Sequence, residues 1–339
     1  MAEKQSNRNQ NYVTLEDIAR MADVSVSTVS RVINGGSVSE KTRKRVERIL
    51  RENQYFPNAI ARSLRGCATN SIGVIIPDIT NPFFTRIINE LGKSFEDLGY
   101  SIIICNTFDN EAIERKQIES LLQRRVDGLI VTSANTDFAK VYEHINKTQP
   151  VVLVDRVISP RLDSVRTDNV EGAMHAVSFL LNKGYRNILT IAGPQQVTPG
   201  QERLEGYKKA LELYNIPLRE DLIRYGNFSK RSGYDVVEKV MREKIPVDAI
   251  FAANNFLGVG AIEALRANNL RVPDDVALIM FDDMDLADVV DPPLTVVDQL
   301  TEEIGREVGN LIRERIHDGG YTKPREILIK SKLIIRGSA

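Results

Sequence analysis

From Ser71 to the C-terminus the chain alternates short apolar runs with amphipathic stretches, and this alternation restricts its fold more than any other feature. The runs are Ile72–Ile76, Ser101–Cys105, Gly128–Thr132, Val151–Val154, Ile188–Ala192, Ala249–Ala253 and Val276–Phe281. Helical patterns lie between them: Phe83–Leu98, Ile113–Gln123, Ala173–Leu181, Leu204–Tyr214, Tyr234–Met241 and Ala261–Ala267. Apolar runs too short for helices, each followed by a 3.6-residue period, predict repeated βα units and parallel sheets covered by helices. Roughly 270 residues exceed one comfortable hydrophobic core, so two such sheets are expected.

Open parallel sheets bind ligands beyond the carboxyl ends of their strands. The residues that follow the runs are therefore the candidate site. They are Asn81-Pro-Phe-Phe84 after the first run, Asp155-Arg156 after the fourth, Asn254-Asn255 after the sixth and Asp282-Asp283 after the seventh, with Gln299 after a short run at Thr295–Val297. Amides and carboxylates beside stacking aromatics suit a polyol: each hydroxyl needs a donor and an acceptor, and the C–H faces of a sugar ring prefer aromatic surface. An Asp or Asn after a strand also serves as a helix cap, and both roles remain open for each residue.

The first 66 residues are different in kind. They hold 12 basic and 7 acidic residues, net +5, whereas the remainder carries 33 and 39, net −6, so the overall −1 hides two modules. A basic head on an acidic body fits a nucleic-acid module joined to something else, although a fluctuation in surface charge gives the same count. Thr14 caps a first helix with apolar Leu15, Ile18, Ala19 and Ala22 at helical spacing. Asp23-Val24-Ser25 breaks it, and Ser25 caps a second helix through Ile33 that ends at Asn34-Gly35-Gly36. A third helix starts at Ser39 with Val46, Ile49 and Leu50 inward. Two short helices joined by a tight turn form a helix-turn-helix whose second helix fits the major groove. Ser25, Val26, Ser27, Thr28, Arg31 and Asn34 then face the bases, with Arg31 the candidate for guanine. A generic three-helix bundle with a charged face has the same spacing.

Other classes are excluded. No apolar run approaches the roughly 18 residues that span a bilayer, and the polar stretch Met1–Asn11 lacks a signal-peptide core, which places the chain in the cytoplasm. Two cysteines and three scattered histidines provide neither a disulfide framework nor a metal site. No phosphate loop, nucleophile elbow or HExxH motif occurs, and Gly258-Val-Gly260 lies in a helical pattern, so no enzyme chemistry and no cofactor are expected.

The residues Val13-Thr-Leu-Glu-Asp-Ile-Ala-Arg-Met-Ala-Asp-Val-Ser-Val-Ser-Thr-Val-Ser-Arg-Val-Ile-Asn34, then Val38-Ser39 to Arg43 and Tyr55-Phe56-Pro57-Asn58, resemble the head of the LacI/GalR family of bacterial repressors. The resemblance implies that Val26, Ser27 and Arg31 read the operator while Thr14, Ser25, Asn34 and Tyr55 steady the backbone. Asp23 replaces the glycine usual in the turn. Residues 58–66 resemble the family's hinge helix, with Asn58 as N-cap, Ala61 at the close approach of two such helices and Leu64 as the minor-groove wedge.

Residues 70–339 resemble the family's effector domain. The implied fold is an all-α helix-turn-helix head (1–57), a hinge and linker (58–69) and an α/β periplasmic-binding-protein-like body of two parallel-sheet subdomains. The N-subdomain spans about 70–168 and 298–326, and the C-subdomain about 169–297 and 327–339. Ribose-type members are most similar. Asn81, Phe83, Phe84, Asp155, Arg156, Asn254, Asp282 and Gln299 occupy their pocket positions, with Arg203 retained in Arg203-Leu-Glu-Gly206 and Phe228 a further aromatic wall. Gln201 stands where many members have arginine, and Asn255 where aspartate is usual and where a helix-capping role is expected. The last strand pattern, Ile327–Ile335, is not followed by a leucine-heptad segment. The implied partners are therefore a near-palindromic operator DNA, a small sugar or sugar phosphate that releases the repressor, and a second copy in a homodimer. Catabolite control proteins, which take a phosphorylated carrier protein as corepressor, share Ile76-Pro77-Asp78 and form the alternative.

Overall fold

The computed structural model describes residues 13–33, 36–53, 55, 69–318 and 323–339. It divides into two compact units, Met1–Thr69 and Asn70–Ala339, taken in turn.

In the first unit, α1 (Leu15–Met21) opens on a capping box. The Thr14 side chain accepts from Asp17 N, and the Asp17 carboxylate accepts from Thr14 N. Asp23 then turns the chain with φ +49°, a left-handed conformation that aspartate tolerates, and its carbonyl accepts from Arg45 Nη2 at 3.3 Å. The Ser25 hydroxyl caps α2 (Val26–Ile33) by accepting from Thr28 N, and Ser39 caps α3 (Glu40–Glu52). Ile18, Ala19, Ala22, Val29, Val32, Val46 and Ile49 form one small core, with Val24 and Tyr55 packed against it. Asn34 and the hinge positions Asn58, Ala61 and Leu64 lie outside the described residues.

The second unit holds two six-stranded sheets. The first is ordered β11-β5-β4-β3-β1-β2, from β1 (Ser71–Ile76), β2 (Ser101–Asn106), β3 (Gly128–Val131), β4 (Val151–Val154), β5 (Asp163–Thr167) and β11 (Glu326–Ile329), with every pairing parallel. The second is ordered β12-β10-β9-β8-β6-β7. Its strands are β6 (Ile188–Ala192), β7 (Ile223–Tyr225), β8 (Ala249–Ala252), β9 (Ala277–Phe281), β10 (Thr295–Asp298) and β12 (Lys332–Ile334), and only β12 runs antiparallel. The orders are the same when β1–β5 are replaced by β6–β10, so the halves are structural repeats. The chain crosses between them after β5, after β10 and after β11.

Helices cover both faces of each sheet. In the first half they are α4 (Pro82–Glu96), α5 (Glu111–Gln123), α6 (Ala139–Ile145) and α11 (Thr301–His317). In the second they are α7 (Asn169–Asn182), α8 (Thr198–Leu213), α9 (Lys230–Arg242) and α10 (Asn255–Ala267). Ile304, Val308, Leu311 and Ile312 of α11 interleave with Ile87 and Leu91 of α4 over the first sheet. Gly258 and Gly260 sit inside α10. A Cβ on Gly260 would lie 2.0 Å from the Lys230 carbonyl, so glycine here allows α9 and α10 to pack backbone to backbone.

Three points differ from the sequence reading. Ile327–Ile335 is two strands, not one: β11 joins the first sheet and β12 the second, so the last crossing falls at Lys330–Ser331 rather than before residue 327. Strand β5 (DSVRT) escapes an apolar search because a central position between β4 and β11 buries its polar residues too. Helix α11, which contributes much of the first core, lies outside the βα alternation, since it follows the second crossing.

Candidate functional site

The carboxyl ends of both sheets meet at a cleft of about 430 Å³, counting its open mouth. Each half brings equivalent parts to it. Asp155 follows β4 and Asp282 follows β9, both with left-handed backbone (φ +65° and +71°). The Asp155 amide donates to Val165 O at 3.1 Å and the Asp282 amide to Val297 O at 2.9 Å, so each strand pairing continues to its carboxylate. Asn81 and Asn254 open α4 and α10. Their side chains cap those helices by accepting from Phe83 N and Leu257 N, and both residues also line the cleft. Helix cap and cleft wall are thus one role at both positions.

Ten of the eleven residues expected in a ligand pocket line this one cleft: Asn81, Phe83, Phe84, Asp155, Arg156, Arg203, Phe228, Asn254, Asp282 and Gln299. The exception is Gln201. It is exposed on the first turns of α8 and donates to the Gln195 carbonyl at 2.5 Å, because two residues along the helix turn it by about 200° away from the buried face that carries Arg203. Sequence reasoning missed Asp109, Pro199 and Phe256, and Pro77 and Asp78 were noted only as a motif. Asp109 left one detectable signal, a chemically distinctive acid just after the Ser101–Cys105 run. Asn255 does not cap: it is the first residue of α10, and its Nδ2 donates to Asn81 Oδ1 at 3.1 Å, linking the two halves.

Two guanidiniums point into the cleft with their charges already balanced. Arg156 is held by Asp109 through two hydrogen bonds of 2.5 and 3.2 Å and by the Ser133 carbonyl at 3.1 Å. Arg203 donates to Asn169 Oδ1 at 2.9 Å and Ala253 O at 2.6 Å, lies 3.9 Å over the Phe281 ring and 4.0 Å from Asp282. Gln299 Nε2 donates to Asp282 Oδ1. Burial pushes the Asp155 carboxyl up to about 6; Arg203 and Arg156 oppose the shift, while Asp282 and Glu202 add to it. Burial also raises Asp282, against Arg203, the Gln299 hydrogen bond and the Asn255 backbone. Arg156 Nε and Gln299 Oε1, on two residues of the cleft wall, are buried with no hydrogen-bond partner. Phe83 and Phe84 stand edge to face with centroids 5.0 Å apart, and Phe228 occupies the space left by Gly193, where a Cβ would come within 2.3 Å of the ring. Paired donors and acceptors between aromatic walls match a small, neutral, multiply hydroxylated ring.

The head presents a second surface. Ser25, Val26, Ser27 and Arg31 are exposed on or beside α2, with Thr28 half-buried and Thr14 exposed at the start of α1. Ser25 Oγ lies 2.8 Å from both Ser27 Oγ and Thr28 Oγ1, so these hydroxyls are ordered before any partner arrives. Tyr55 is half-buried, its amide donating to Leu50 O. Among the described residues no group of histidine, cysteine and acidic side chains is arranged to hold a metal, and no helix is long and apolar enough to cross a membrane.

Comparison with known proteins agrees with both surfaces. Residues 14–58 match the family described as bacterial regulatory proteins, lacI family, and residues 69–337 match periplasmic binding proteins and sugar binding domain of LacI family. The chain is 35% identical over 331 residues to the HTH-type transcriptional regulator DegA of Bacillus subtilis (strain 168), covering 96% of this chain and 97% of that protein. It is 33% identical over 330 residues to the ribose operon repressor of Escherichia coli (strain K12), covering 96% and 99%. A solved lac repressor dimer bound to operator and the anti-inducer ONPF matches with a TM-score of 0.85 at 27% identity, over 96% of this chain and 98% of that one.

Proposed function

The chain belongs to the LacI family of bacterial regulatory proteins, DNA-binding repressors and not enzymes, and from that premise we propose that its effector is a small sugar, ribose or a close relative, bound between the two sheets of the body. The observation that carries this is the convergence of ten predicted residues, drawn from both halves, on one cleft walled by aromatic rings, amides and carboxylates. A neutral sugar is favoured over its phosphate. Arg156 and Arg203 already face Asp109 and Asp282, so a phosphate would meet carboxylates with no free cation to offset them.

The proposed mechanism is linkage. A ligand that contacts both halves stabilises the spacing at which both sets of contacts form, and a spacing unfavourable to the DNA-bound dimer lowers operator affinity by the same coupling free energy. Thr14, Ser25, Val26, Ser27, Thr28, Arg31, Asn34 and Tyr55 are the proposed operator contacts, and Asn58, Ala61 and Leu64 the proposed hinge contacts. A homodimer in the cytoplasm supplies two heads for a near-palindromic site. Leu286 and Val289, 58% and 70% exposed beside an apolar groove lined by Ile262, Leu270 and Met284, are the proposed dimer surface.

The test is operator binding by fluorescence anisotropy with and without a pentose panel. d-Ribose or a near isomer is expected to weaken binding, and indifference to every neutral monosaccharide sinks the proposal. The carrier-protein alternative is not favoured, because a corepressor docked elsewhere has no use for a completed polyol cleft.

A further inference from the structure

Glu202 and Arg203 are consecutive on α8 and point to different places. Arg203 enters the cleft, where its guanidinium, 3% exposed at the side chain, is oriented by Asn169 Oδ1, Ala253 O and the Phe281 face. Glu202 turns to the junction between the halves and accepts from Arg166 Nη1 at 2.9 and 3.0 Å. Asn169 connects the two. It is fully buried at the start of α7; its Nδ2 donates to Glu202 Oε2 at 2.9 Å and to Thr167 O at 3.3 Å, while its Oδ1 accepts from Arg203 Nε at 2.9 Å. The opposite amide orientation would set an NH₂ against a guanidinium, so Glu202 fixes the orientation that Arg203 requires.

Arg166 belongs to β5 of the first sheet, and its Nε donates to Glu326 of the adjacent β11 at 2.6 Å. Glu202, Asn169 and Arg203 belong to the second half. A continuous set of charge-assisted hydrogen bonds therefore runs from the first sheet, across the crossing at 167–169, to the guanidinium in the cleft. Arg166 and Glu202 are each only 19% exposed at the side chain, so their attraction is screened less than that of a surface pair.

We infer that Asn169 and Glu202 are positioning residues that register the Arg203 guanidinium against Arg166 of the other half, so that the grip on the effector depends on how the halves are spaced. Neither residue lines the cleft, and the inference rests on the cleft being the effector site. If the halves shift, Glu202 follows Arg166 and tilts the Asn169 amide. A ligand on Arg203 then favours one spacing, and the spacing favours the ligand to the same degree.

The test uses the full chain with d-ribose as probe, measured by calorimetry, and operator affinity without sugar as the control. Glu202→Ala should weaken d-ribose binding about tenfold and leave operator binding unchanged. Glu202→Gln, whose amide oxygen can still accept from Asn169, should restore binding to within about threefold. Arg166→Met, which cuts the link to the first half, should weaken binding as well. A second readout needs no sugar. Asp155 faces Arg203, Arg156, Asp282 and Glu202. Both substitutions remove the Glu202 charge that raises Asp155, so Glu202→Gln should move the pH midpoint of the Asp155-dependent change in melting temperature downward, and Glu202→Ala, which also releases Arg203, should leave it higher than in Glu202→Gln.

Unchanged d-ribose affinity in Glu202→Ala, together with the same midpoint in Glu202→Ala and Glu202→Gln, overturns the inference and leaves the effector assignment standing. A midpoint higher in Glu202→Ala than in Glu202→Gln, in a protein that binds no pentose, overturns the effector assignment and leaves the positioning role standing. If Glu202→Ala does not fold, Arg166→Met decides, and wild-type d-ribose affinity in that variant refutes the link between the halves.

Discussion

Replacing Asp155 by asparagine should stabilise the sugar-free protein at neutral pH while removing its sugar response. The carboxyl is raised from 3.8 to about 6, chiefly by burial. Between those values the folded protein keeps a proton that the unfolded chain has lost, so stability falls as pH rises through the window and levels off above it. At about 1.4 kcal/mol per pH unit the loss approaches about 3 kcal/mol above about pH 7, and about half of it is reached near pH 5. Asparagine tolerates the left-handed backbone at this position and does not ionise, so the variant avoids the loss. For a body of this size about 3 kcal/mol corresponds to roughly 5 °C in melting temperature. Melting curves of both proteins from about pH 5 to about pH 8 should diverge as pH rises. The variant should also need at least about tenfold more d-ribose to release operator, since an amide replaces one of two acceptor oxygens with a donor. A stability difference that does not vary with pH, or a variant less stable than the parent at neutral pH, would refute the assignment of a protonatable, desolvated carboxyl to the cleft.

Gly193→Ala should push the Phe228 ring into the cleft and weaken sugar binding with little change in operator affinity; equal sugar affinity by calorimetry would show that the ring is not a wall of the site. Arg31→Ala should cost about 1–3 kcal/mol against operator and little against scrambled DNA, so an equal loss on both sequences in anisotropy titrations would reassign Arg31 to phosphate contact. Val289→Asp should convert dimer to monomer in sedimentation or size-exclusion experiments, and an intact dimer would place the interface elsewhere. Gly260→Ala should lower the melting temperature by several degrees, because a Cβ 2.0 Å from the Lys230 carbonyl forces α9 and α10 apart. A melting temperature equal to the parent's would show that the two helices can separate at no cost.

Local patterns along the chain specify the kinds of elements and the sheet edge at which the cleft forms. Hydrophobic periodicity is a local property, and so is the residue that follows a strand. Asn81, Asp155, Asn254 and Asp282 are therefore legible from their place after an apolar run. The capping pattern of Thr14, Ser25 and Ser39 and the charge split between head and body are local in the same sense. Strand β5 and helix α11 were harder to see because their burial depends on neighbours supplied by distant segments, and β5 carries polar residues that a solvated strand would also carry.

Which of these residues act together is set by long-range packing. Packing within each half brings Asp282 beside Arg203 and Asp109 onto Arg156, the crossings between the halves bring Asn255 onto Asn81, and no spacing along the chain encodes those distances. Packing also sets orientation. Gln201 and Arg203 are two residues apart on one helix, yet one faces solvent and the other the cleft, since successive side chains on a helix turn by about 100°. The raised carboxyl of Asp155 belongs to the same class of result, because desolvation is a property of everything packed around a group. Local periodicity specifies the elements, whereas the electrostatics of the site depend on long-range packing within and between the halves.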